Sequence, residues 1–70
     1  EHKHMATTAS RNKYRTHTTD AAEAERKGDY QAAACHWKTA AIYAPNSTES
    51  KWVAARIDFC ETRKHEEVIA

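Results

Sequence analysis

The chain has 70 residues, with 11 Lys and Arg against 10 Asp and Glu, for a net charge of +1. Near-neutral charge and a pI of 8.1 disfavour a dedicated DNA-binding domain, which needs a concentrated basic surface to neutralise phosphates; no apolar run approaches the roughly 20 residues that span a bilayer. A chain this short buries only about 60% of the surface its unfolded form exposes, so its core calls for a staple or a partner.

Glu1-His2-Lys3-His4-Met5 alternates His and Lys as engineered tags do, and reads as a tag remnant running into a native start methionine. Residues 6–11 are expected to form a flexible N-terminus, 12–66 a single helical domain and 67–70 a frayed end. Gly28 and Pro45, the one glycine and the one proline, divide that domain into three alanine-rich segments without period-two alternation. This predicts an all-α protein with helices over about 12–27, 30–44 and 47–64.

In the first helix, Tyr14, His17, Thr18, Ala21, Ala24 and Gly28 recur at three- and four-residue steps and define the inward face. Glu23 and Lys27 make an i,i+4 acid-then-base pair on the solvated side. Gly28 suits the left-handed residue that ends a helix, and Asp29 suits the N-cap of the next. A turn this short makes the first two helices antiparallel.

The second helix carries the clearest stripe, Tyr30, Ala33, Ala34, Trp37, Ala40, Ala41 and Ala44, in which small residues permit close approach and Trp37 fills the contact. Tyr14, Ala21, Tyr30, Ala33, Trp37, Ala40 and Phe59 are the expected core. Ala32, Cys35, Thr39 and Ile42 form a weaker second face, the candidate seam of a homodimer. Pro45 stops the helix, and Asn46-Ser47-Thr48-Glu49 reads as a capping box, with Asn46 or Ser47 as cap.

Two adjacent apolar rows run along the third helix: Trp52, Ala55 and Phe59, and Val53, Ile57 and Cys60. One row closes the hairpin, and the other is left for a partner. Arg56 lies next to both, suited either to an interface or to a surface pair with Glu49, Asp58 or Glu61.

Catalytic and metal chemistry find little footing. Cys35 and His36 are neighbours on different helix faces and make no nucleophile–base pair; His65-Glu66-Glu67 reads as a solvated end, and phosphate loops and nucleophile elbows are missing. The cysteines lack the paired spacing of zinc knuckles, and two isolated thiols suit a reducing cytoplasm. The expectation is a cytoplasmic, non-enzymatic protein without cofactor or metal. The short basic cluster Arg11, Lys13 and Arg15 leaves direct nucleic-acid binding as an alternative.

The spacing Gly28-Asp29-Tyr30, Ala33, Trp37, Ala40, Pro45 resembles the second half of a tetratricopeptide repeat. That resemblance implies a helical hairpin plus a third helix, and leaves a peptide-binding adaptor as another reading. A fuller match runs through residues 21–30, then Ala33, Trp37, Asn46, Trp52, Arg56 and Cys60. In these positions the chain resembles the ANR family, the AraC negative regulators of enteric bacteria. The resemblance implies a repressor that binds AraC/XylS-type virulence activators directly and blocks their dimerisation or their engagement of DNA. Trp52, Val53, Arg56, Ile57 and Cys60 are the expected partner-binding residues.

Overall fold

A computed structural model of the chain describes residues 8–69, with side chains to residue 64. Three helices follow in order: α1 (Thr8–Arg26), α2 (Tyr30–Ile42) and α3 (Ser47–Ile69). No strand forms among the described residues, so the fold is all-α, an antiparallel hairpin with a third helix. No helix among those residues is long and apolar enough to cross a membrane.

The boundaries follow local chemistry. The Gly28 amide donates to the Glu25 carbonyl (2.9 Å) and the Asp29 amide to the Ala24 carbonyl (2.9 Å), the paired closure of a helix ending in a left-handed residue. Gly28 supplies that residue, at φ 79°. Asp29 then caps α2 by accepting from the Ala32 amide at 3.1 Å. Asn46, rather than Ser47, caps α3: its Oδ1 accepts from the Glu49 amide at 2.9 Å.

Three expected limits shift. Helix α1 starts at Thr8, inside the stretch expected to be flexible, because residues 8–11 contain no Gly or Pro to break it. Helix α2 stops at Ile42 instead of 44: proline disfavours helical geometry in the residue before it, and the chain tightens through Tyr43 N–H to Ala40 C=O at 2.9 Å. Helix α3 runs on to Ile69, through most of the segment expected to fray. The suspected tag residues lie outside the described residues.

Helix α2 packs against both α1 and α3. The buried core is alanine-rich around one large ring: Ala21, Ala24, Ala33, Ala34, Trp37, Ala40, Val53 and Cys60. Tyr14, Tyr30 and Phe59 lie half-buried against it, so the expected core residues all take part. The edge of Tyr30 meets Phe59 with centroids 6.0 Å apart, and Trp37 meets Trp52 at 5.1 Å and 85°. These contacts pair the start of α2 with the later part of α3 and the middle of α2 with the start of α3. Helix α3 therefore runs antiparallel to α2 and parallel to α1.

A Cβ at position 28 would meet nothing within 4 Å, so a side chain there is opposed only by the backbone conformation. Gly28→Ala is expected to destabilise the fold by about 1 kcal/mol, seen as a lower urea midpoint with unchanged slope. An unchanged midpoint would contradict the left-handed turn.

Candidate functional site

With α1 and α3 parallel over α2, a groove opens between them. Thr18, Thr19, Ala22 and Glu25 form the α1 wall, Trp52 and Arg56 the α3 wall, and Trp37 lies beneath, around an open volume of about 380 Å³. Trp37 is 2% exposed and Trp52 48%. One indole completes the core, and the other presents apolar surface along the groove.

The floor of the groove is polar and fully engaged. Glu25 follows Ala21 by four residues, which carries its carboxylate to the rim of the α1 inward face, where the side chain is 15% exposed. Its Oε2 accepts from Trp37 Nε1 at 2.6 Å, from Arg56 Nε at 3.3 Å and from the Cys60 thiol at 3.4 Å. Its Oε1 accepts from Arg56 Nη2. One carboxylate thereby joins all three helices. At the opposite end of the groove, the Tyr14 hydroxyl donates to Glu49 Oε1 at 2.6 Å.

Burial by itself would raise the Glu25 pKa, but the hydrogen bonds from Arg56, Trp37 and Cys60 outweigh it and hold the carboxyl below its ordinary value. Burial, reinforced by hydrogen bonding to Glu25, pushes the Cys60 thiol up to about 11. It stays a protonated donor at neutral pH and a poor nucleophile. The Tyr14 hydroxyl is raised as well, by burial and by its bond to Glu49.

The partner-binding face expected on α3 needs correction. Val53 and Cys60 are 0% exposed and belong to the core, so neither can meet a partner without unfolding. Ile57 is half-buried and packs on the core. Arg56 is committed to Glu25, across 31 positions of sequence, and not to Glu49, Asp58 or Glu61. Its guanidinium also lies over Phe59, 4.6 Å from the ring centre. Trp52 remains as the exposed apolar element. The row that faces inward is Val53–Ile57–Cys60, because Arg56 must reach Glu25 and Cys60 lies one turn beyond on the same face.

The suggested dimer seam lies along α2. Cys35 is exposed, Ile42 is 75% exposed, and Ala32 packs partly on the core. The Thr39 hydroxyl donates to the Cys35 carbonyl at 3.1 Å. Sequence periodicity placed Thr18 on the inward face of α1 but overlooked Glu25, Thr19 and Ala22, which line the groove with it. Glu25 did lie in the string that resembles the ANR family, which was the available signal for it.

No family model matches the chain, and no solved structure matches it. Among curated proteins it is similar to an uncharacterized protein of the Mu-like prophage FluMu region of Haemophilus influenzae. The two are 38% identical over 64 residues, which cover 90% of this chain and 84% of that protein.

The Glu25 cluster has an acid signature. Because the folded pKa lies below the ordinary value of 4.5, its stabilisation is complete above that value and is lost as pH falls through the folded pKa. Glu25→Gln is expected to cost about 2 kcal/mol at pH 7 and to flatten the loss of stability below about pH 4.5. Denaturant titrations across pH check this; parallel pH profiles for both proteins would contradict it.

Proposed function

The chain belongs to the family of that prophage protein, and from this premise we propose that it is a small helical regulator acting by binding another protein. The observation that carries the reading is the groove between α1 and α3, which offers the half-exposed Trp52 beside threonine hydroxyls and Ala22. Extended grooves between stacked helices are the binding surfaces of helical-repeat proteins, and an amphipathic helix is their natural guest.

The resemblance to the AraC negative regulators specifies the guest. In this reading the protein works in the cytoplasm as a repressor that captures an AraC/XylS-type activator and blocks its dimerisation or its engagement of DNA. Glu25, Trp37, Arg56 and Cys60, four of the positions carrying that resemblance, form one hydrogen-bonded cluster directly under the groove. They hold the walls at a fixed spacing, and Trp52 makes the contact.

Titration calorimetry with an AraC/XylS-type activator from the same host tests this reading. Trp52→Ala, with its helical spectrum intact, is expected to cost about 2 kcal/mol of binding, roughly 30-fold in affinity. Undiminished binding by that variant would rule out the groove, and absence of binding by the unmodified protein would rule out the partner.

Self-association belongs to the same reading. Ile42 is the largest apolar side chain of the candidate seam with Ala32, Cys35 and Thr39, and water covers most of it. Sedimentation is expected to give a dimer for the unmodified chain and a monomer for Ile42→Lys. A folded monomer of the unmodified chain at low micromolar concentration would refute the dimer.

A further inference from the structure

The α1–α2 hairpin carries a second constellation that shares no residue with the groove. His17 and Asp20 lie one turn apart on α1, so they project from the same face, and folding at Gly28 brings His36 of α2 alongside them. One ligand atom from each of the three, a ring nitrogen or a carboxylate oxygen, lies within 4.8 Å of the other two. The imidazoles of His17 and His36 have centroids 6.1 Å apart. Tyr43 stacks nearly parallel to His17, at 5° and 6.3 Å, which holds the ring in place at the junction.

A second observation comes from the hydrogen bonds. His17 Nδ1 is buried and has no hydrogen-bond partner, although buried nitrogens are almost always paired. The Glu25 cluster and the apolar core leave these three residues unused, so neither explains why two imidazoles and a carboxylate are held together.

We infer that His17, Asp20 and His36 form a binding site for a divalent transition-metal ion of the zinc class. Two imidazoles and a carboxylate are a donor set that zinc accepts, with water in the fourth tetrahedral position. Zinc–ligand bonds of about 2.0–2.1 Å imply ligand separations of roughly 3.3 Å. Small side-chain rotations close the present spacing, and the open groove bordered by Asp20 and His36 leaves room for them.

The ion joins α1 to α2 roughly two helical turns from their connection. Both cysteines are free thiols, so the fold holds no disulfide, and a metal is the remaining kind of internal staple for a core this small. This proposal departs from the metal-free expectation drawn from the sequence. The signal was split between helices: His17 and Asp20 are separated from His36 by the turn, and no short motif contains all three.

The test titrates the chelator-stripped full chain with Zn²⁺ and, in parallel, with Co²⁺. One ion per chain, a tetrahedral Co²⁺ visible spectrum and a thermal midpoint raised by roughly 10 °C at a hundredfold excess over Kd are expected. His36→Gln and Asp20→Asn, each retaining the helical spectrum, are expected to lose at least tenfold in affinity, since even partners of metal ligands are worth about 10–100-fold. His2 and His4 stay in every variant. Full affinity and stoichiometry in both variants would locate the ion elsewhere and overturn the site, as would an unchanged midpoint in the unmodified chain.

Discussion

The architecture depends on a single carboxylate. Glu25 is the point at which α1, α2 and α3 meet in one hydrogen-bonded group, accepting from Trp37, Arg56 and Cys60. An ion pair withdrawn from water adds little over a well-packed apolar pair, yet leaving either partner alone is costly. The effect of Glu25 is therefore chiefly geometric. It fixes the rotation of α3 about its axis, and with it which residues are buried and which stay available.

That constraint explains why the hairpin was legible in the sequence and the surface of α3 was not. Gly28, Asp29 and Pro45 act locally, through backbone conformation and capping, so the helices and the antiparallel turn follow from them directly. The alanine stripe around Trp37 has only one way to face a neighbour, and its buried members were read correctly. Helix α3 offers two apolar rows of similar weight, and periodicity cannot choose between them. The choice is made by an arginine that reaches a glutamate 31 positions earlier, a long-range pairing without local trace. Hence Val53 and Cys60 turned inward while Trp52 stayed half in water.

The groove and the histidine cluster are products of the same arrangement on different sides of the hairpin. Tyr14–Glu49 and Glu25–Arg56 are polar ties that join α1 to α3 across the groove, and Trp52 stays half-exposed. The His17–Asp20–His36 cluster spans α1 and α2 and draws no ligand atom from α3.

The most direct test of the Glu25 account is a double-mutant cycle between Glu25 and Arg56, Glu25→Gln, Arg56→Met and the double variant, with unfolding free energies from urea denaturation. If the pair fixes α3, the two substitutions are strongly non-additive, with a coupling of about 1 kcal/mol or more. Additivity within about 0.3–0.5 kcal/mol would mean that the Glu25–Arg56 pair does not fix α3, and would contradict the account.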